Sequence, residues 1–212
     1  MDTFFVNTSR WIHRLFPNYT WRVETKEPIV YLTFDDGPTP FVTPWVVELL
    51  EKFDAKATFF CIGSNLVEHP EIAVNTIKEG HLIYNHTLHH ENGWKTKNTH
   101  YLESVQETDK IINSIKPLHK KLFRPPYGRI KSSHAKALKS MGYEIVMWDV
   151  LSRDYAKDIS NEECVRNVLK YTKPGSIIVF HDSKKAFPIL EKALPEILIT
   201  LKNKGYRFES LP

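Results

Sequence analysis

Apolar and polar positions along this chain switch between two periods. Short runs rich in β-branched and aromatic residues predict strands near 29–34, 57–62, 81–85, 121–124, 144–149, 176–181 and 206–210. Between them, apolar residues recur at helical spacing over about 41–53, 70–79, 99–115, 133–141, 161–171 and 187–204. Pro44 suits a first helical turn, and Gly80, Gly142 and Gly205 each follow a helical pattern where a left-handed stop is wanted. Pro195, inside the last pattern, predicts a kink or a break. Regular strand–helix alternation predicts a parallel sheet, and seven strands point to an α/β, barrel-like arrangement, open or closed.

The first 27 residues depart from this rhythm. They hold Phe4, Phe5, Trp11, Ile12, Leu15, Phe16, Tyr19 and Trp21 ahead of the first clear strand, with Arg10, His13 and Arg14 on other faces of a helical pattern. A leading helix packed on the end of the core is expected, in preference to a membrane-surface helix. Residues 1–212 read as one domain, since no linker-like stretch divides them. A content of 42% hydrophobic and 25% charged residues is that of an ordinary soluble globular protein. With 29 basic against 25 acidic residues and no long basic run, nucleic acid is not an expected partner. Cys61 and Cys164 stand far apart without a CxxC context, so a buried thiol at Cys61 and no disulfide framework are expected. No apolar run approaches the length of a membrane span, and the first residues lack the features of a secretory leader. The expected location is therefore the cytoplasm, or outside it if a leader has been removed.

Charge and imidazole gather where the strands are predicted to end. Asp35 and Asp36 end the first, His86, His89 and His90 follow the third, and Arg124 ends the fourth. Asp149 and Asp154 follow the fifth, and His181 and Asp182 end the sixth. Function gathers at the carboxyl ends of strands in parallel folds, so these groups are expected to open onto one face. In Thr33-Phe34-Asp35-Asp36-Gly37-Pro38 two adjacent carboxylates repel each other unless a cation intervenes. A metal ion takes one as ligand and keeps its neighbour ionised as a base. His86 and His90, four apart, can grip one ion from one side of a helical turn; His86 and His89, three apart, can do the same, so spacing leaves the second imidazole open. One Asp and two His form a facial set with open positions, suited to one divalent ion, Zn²⁺ foremost, with Co²⁺, Fe²⁺, Mn²⁺ or Ni²⁺ as alternatives. An arginine held rigid in Arg124-Pro125-Pro126-Tyr127-Gly128 could keep Asp35 ionised, and N–H groups after the prolines could face a developing oxyanion. His181 could protonate a leaving amine, given a carboxylate to hold its tautomer.

Taken together, these residues resemble the polysaccharide deacetylases of the NodB-homology type, carbohydrate esterase family 4. The first motif of that family is matched letter for letter by Thr33–Pro38. The second, a His-Ser/Thr pair with another His four after the first, selects His86 and His90; the third is matched by Arg124-Pro125-Pro126-Tyr127. The resemblance implies a distorted (β/α) barrel with fewer than eight strands, and metal-assisted hydrolysis of an N-acetyl group on an amino sugar. It implies that Asp35 is the general base, that Asp36, His86 and His90 are the metal ligands, and that His181 is the general acid. Arg124 becomes the partner of Asp35, the Tyr127 N–H an oxyanion donor, and Val179 with Tyr155 the lining of the acetyl-methyl pocket. The sequence departs from the common pattern at Tyr84 (usually Gly), His89 (usually small), Asp154-Tyr155 (usually Asp-Trp) and Val179 (often Leu). Asp154 is expected to steady His181, with Asp149 as the competing acid.

The expected substrate is an N-acetylated amino-sugar polysaccharide or oligosaccharide, peptidoglycan- or chitin-like. The alternative is a small or lipid-linked intracellular sugar, or another non-peptide amide, which the expected cytoplasmic location favours. A sugar-binding module without turnover is the third reading, and the full set of Asp35, Asp36, His86, His90 and His181 argues against it. Trp94, in the loop after the histidines, is placed either to stack on a sugar ring or to pack on its own domain.

Overall fold

The computed structural model describes residues 6–8, 10–117 and 119–212; Phe4 and Phe5 of the leading segment lie outside them. Seven residues, Ile29–Asp35, form strand β1, buried at every position. Such a run is stable only with neighbours on both edges and cover on both faces. It pairs in parallel with β2 (Ala57–Cys61) on one side and β7 (Ile177–His181) on the other. Beyond these lie β3 (Leu82–Asn85), β4 (Lys121–Phe123), β5 (Tyr143–Ile145) and β6 (Val150–Leu151). The sheet order is β5-β4-β3-β2-β1-β7-β6, and β8 (Arg207–Phe208) adds to the start of β1. Every ladder is parallel, as the alternation predicted, and the curled sheet is the distorted (β/α) barrel that the resemblance implied.

Helix α1 (Arg10–Leu15) precedes the sheet, and α2 (Val42–Lys52), α3 (Gly63–Glu68), α4 (Pro70–Lys78), α5 (Asn98–Ile115), α6 (Ser132–Ser140), α7 (Asn161–Tyr171) and α8 (Phe187–Asn203) lie between or after its strands. All six predicted helices are present within a residue or two, and α3 is an additional short one. Gly80, Gly142 and Gly205 end theirs at φ near +84°, a conformation that a Cβ disfavours. Pro195 does not break α8, which continues through it. Ala193, Leu194, Ile197, Leu198 and Leu201 are buried along that helix, and their packing outweighs one missing N–H.

Only the start of the predicted strand 144–149 is a strand. It belongs to β5 at one edge of the sheet, and the next strand, β6, begins beyond the predicted range at Val150 on the opposite edge. Residues 146–149 cross the open side of the barrel, with Val146 N–H bonded to Phe123 O and Asp149 N–H to Ile177 O. Apolar residues continue through Val146-Met147-Trp148, so the pattern hides the crossing.

The leading segment stitches the same opening. Thr20 N–H donates to Ile145 O and Met147 N–H to Thr20 O, while Leu151 N–H bonds Val6 O and Thr8 N–H bonds Asp149 O. Trp21 is buried, with Ile12 and Tyr19 packed on its cluster. Trp11, Leu15 and Phe16 stay exposed, and the helix packs through Ile12 and through His13, whose ring stacks on Trp21 at 5.1 Å. Among the described residues no helix is long and apolar enough to cross a membrane.

The period of two along the strands divides the core. Val30, Leu32 and Phe34 face the helices, whereas Ile29, Tyr31, Phe60, Tyr84, Leu122 and Ile177 fill the barrel interior. Phe34 stacks between Phe59 and Phe180 at 5.1 and 5.6 Å and is fully buried. Phe34→Ala is expected to cost about 3–5 kcal/mol, read as a lower denaturant midpoint at unchanged slope. A cost under about 1 kcal/mol would contradict this packing.

Candidate active site

Because Ile29 and Tyr31 face inward, Thr33 and Asp35 do too, and they are the last inward positions of β1. Parallel register sets Asp35 beside His181 and Thr33 beside Val179. Inward-facing Leu122 likewise turns Arg124 into the barrel, where it is fully buried. Its Nη1 donates to Asp35 Oδ1 and to Thr33 Oγ1, each at 2.7 Å, and its Nη2 donates to Met147 O at 3.0 Å. The guanidinium lies 4.2 Å from the centre of the Phe60 ring. Burial pulls the Arg124 pKa down, and the Asp35 charge opposes that shift. The pair fixes Asp35 as an oriented carboxylate at the pocket floor.

Asp36 takes a different direction. Its φ of +83° turns its side chain away from that of Asp35, and Asn65 Nδ2 holds its carbonyl at 2.8 Å. Asp36 Oδ1 then lies 3.2 Å from His90 Nε2 and 3.8 Å from His86 Nε2. His86 Nδ1 donates to Arg124 O at 2.8 Å, which leaves Nε2 as the lone-pair nitrogen facing Asp36. Burial pushes the His86 pKa down to about 4 against the nearby carboxylates, so its imidazole is neutral at ordinary pH. Burial also raises Asp36, but contact with His90 and the charges of His181, His86 and His90 outweigh it and hold the carboxyl well below its usual range. Asp36 Oδ1 is buried without a hydrogen-bond partner, and one oxygen and two imidazole nitrogens converge there. That donor set fits one divalent cation.

His90, and not exposed His89, completes the set. The four-residue spacing works through a bent loop and not the expected helical turn: Thr87 and His90 have φ of +68° and +59°. Asn85 Oδ1 accepts from Thr87 N–H, Ser104 Oγ from Leu88 N–H, and Thr87 Oγ1 from Glu91 N–H. Strained positions at Asp36, Thr87, His90 and Tyr127 thus cluster at one site, held by surrounding hydrogen bonds.

His181 Nδ1 meets Asp154 Oδ1 at 2.8 Å, and the His181 N–H donates to Asp154 Oδ2 at the same distance. Burial lowers the His181 pKa, yet Asp154, with Asp36 and Asp35 behind it, brings it up to about 9. Asp149 is engaged elsewhere, accepting from Ser176 Oγ and Ile177 N–H at 2.9 Å. Of the two candidate acids, the structure therefore pairs Asp154 with His181.

Asp35, Asp36, His86, His90 and His181 share a cavity of about 640 Å³. Val179 and Tyr155 line it as expected, with Tyr155 edge-on to His181 at 4.7 Å. Tyr127 lines it too, its ring 4.5 Å from that of His90. Sequence reasoning missed Trp148 and Leu151, which complete the apolar wall. It also assigned no role to Asp182, a buried carboxylate accepting from Gly37 N–H at 3.0 Å and Thr43 Oγ1 at 2.5 Å. A Cβ at Gly37 would fall 2.0 Å from Asp182 Oδ2, so this clamp requires glycine. The only sequence signal was the acid following His181 at a strand end.

Residues 22–146 match the family model for polysaccharide deacetylase. The chain belongs to the polysaccharide deacetylase family. A peptidoglycan-N-acetylglucosamine deacetylase of Bacillus cereus is 37% identical over 193 residues, covering 89% of each chain. A chitooligosaccharide deacetylase of a Bradyrhizobium species is 31% identical, covering 86% of this chain and 89% of that one. The crystal structure of a peptidoglycan N-acetylglucosamine deacetylase in complex with 4-naphthalen-1-yl-N-oxidanyl-benzamide superposes with a TM-score of 0.87 at 35% identity, over 92% of this chain and 91% of that one. These relatives share the fold and about a third of the aligned sequence with this chain.

Proposed function

We propose that this polysaccharide deacetylase hydrolyses the N-acetyl group of amino sugars in a polysaccharide or oligosaccharide, releasing acetate and a free amine. The observation that carries the reading is the flanking of the Asp36–His86–His90 set by two differently prepared groups, Arg124-paired Asp35 and Asp154-paired His181. Asp36, His86 and His90 would hold one divalent cation, Zn²⁺ by the donor chemistry, which would supply Lewis acidity toward the acetamide carbonyl and water.

Asp35, oriented by Arg124, accepts the proton of the water whose oxygen bonds to the carbonyl carbon. The Tyr127 N–H, in the segment the family resemblance assigns to oxyanion binding, is the donor for the developing oxyanion. His181 gives its proton to the nitrogen as the C–N bond breaks, and Asp154 holds the ring for that transfer. Val179, Tyr155, Leu151 and Trp148 form the wall against which the acetyl methyl packs.

Acetate release from N-acetylglucosamine oligomers and cell-wall fragments by Zn²⁺-loaded protein tests the activity. Activity on polymer places the enzyme with its wall-acting relatives and so outside the cytoplasm. Activity confined to small or lipid-linked sugars favours the alternative and the cytoplasmic location. For the cation, calorimetry should give one site per chain, weakened by at least about tenfold in His90→Ala and untouched in His89→Ala. The reverse pattern would remove His90 from the set.

A further inference from the structure

Behind the sheet, on the side away from the pocket, a buried polar chain reaches the loop that carries the two imidazoles. Asn85 is the last residue of β3. The alternation that sends Tyr84 into the barrel and Ile83 toward the helices turns the Asn85 side chain toward α5, where it is fully buried. Its Nδ2 donates to Val105 O and to Asp109 Oδ1, each at 2.7 Å, and its Oδ1 accepts from Thr87 N–H at 2.9 Å. Asp109 Oδ2 accepts from the Tyr143 hydroxyl at 2.7 Å, so the chain runs from β5 through α5 to the loop. A flipped amide would set its oxygen against two acceptors and its N–H groups against a donor. The Asp109 carboxylate and the Val105 carbonyl therefore decide which way Asn85 points. Thr87, the residue so held, follows His86 and is fully buried at φ +68°, a left-handed conformation that a β-branched side chain disfavours. That bend, with the one at His90, brings both imidazoles onto Asp36. Neither Asn85, Asp109 nor Tyr143 lines the pocket.

We propose that Asn85, Asp109 and Tyr143 are positioning residues for the cation: the oriented amide keeps Thr87 in its bend, and the bend keeps His86 and His90 at the spacing of one ion. Without that acceptor Thr87 is free to relax toward an ordinary φ, which draws the imidazoles apart. The β3 ladder does not depend on the side chain, since Arg124 N–H donates to the Asn85 carbonyl at 3.1 Å. This inference rests on Asp36, His86 and His90 being the cation site, and it names the distant residues that tune it.

The test titrates the full metal-free chain with Zn²⁺ by calorimetry and records the visible absorption of bound Co²⁺, which reports ligand geometry. Asn85→Asp sets two carboxylates against each other, and Asp109→Ala frees the amide to turn. Each should weaken Zn²⁺ by about tenfold, the scale for removing a group that orients metal ligands, and should alter the Co²⁺ bands. Asn85→Asp/Asp109→Asn again faces one donor with one acceptor and should bring the affinity back to within about threefold of wild type. Tyr143→Phe keeps the ring in the core, should weaken Zn²⁺ by about threefold, and carries the test if the other single variants fail to fold. Variants that melt earlier with unchanged Co²⁺ bands and Zn²⁺ affinity within about twofold of wild type make the chain purely structural and overturn the proposal. A double variant no better than Asn85→Asp overturns it as well. Both results leave the cation site standing, whereas a wild-type chain that binds no Zn²⁺ sinks the site and the proposal together.

Discussion

Asp35→Asn should lower kcat for acetamide hydrolysis by at least about a hundredfold, the usual scale for removing a general base, while Zn²⁺ affinity changes little. The separation is geometric. Asp35 faces Arg124 inside the barrel, and Asp36, one residue on, is turned by its left-handed backbone to the two imidazoles. Asparagine keeps an oxygen for the Arg124 N–H, so the fold should hold and the loss should appear in turnover. Titration calorimetry beside single-turnover kinetics separates the two readouts. Turnover close to wild type would remove Asp35 as base, and a collapse of Zn²⁺ affinity would make it a ligand.

His181→Ala should remove about two to four orders of magnitude from amide hydrolysis, because an amine leaves poorly without a proton. His181 must be protonated to act, so activity should fall as pH rises through its pKa. Burial alone would lower that pKa, whereas Asp154 raises it to about 9. A dication bound at Asp36 repels the imidazolium and shifts the limb below that value. The variant should lose the alkaline limb together with the rate. An activated acetyl ester, whose leaving group needs no proton, should suffer far less. Equal damage to ester and amide would reassign His181 to oxyanion binding or structure.

Much of the site was legible because reactive groups in a parallel α/β fold follow strand ends, and strand ends can be read from composition. Asp35, Asp36, His86, Arg124 and His181 stand just where apolar runs stop. The family motifs then assigned roles that spacing left open, above all His90 over His89. Less legible were residues whose part depends on distant contacts. Asp182 clamps the Gly37 turn from the end of β7, Trp148 reaches the pocket from a crossing segment that resembled a strand, and Leu151 reaches it from β6 on the far edge of the sheet.

By itself the sequence determined the alternation of strands and helices, the helix stops at Gly80, Gly142 and Gly205, and the chemical types available at one face. Those follow from local rules, the periods of 2 and 3.6 and the φ freedom of glycine. Only the tertiary structure decided that Asp154, and not Asp149, holds His181, since both acids lie 27 or more residues from their partners and are sorted by strand contacts. It alone decided that the leading segment and residues 146–149 close the barrel. Edge strands β5 and β6 leave unpaired N–H and C=O groups there, and the nearest chain able to satisfy them comes from the other end of the sequence.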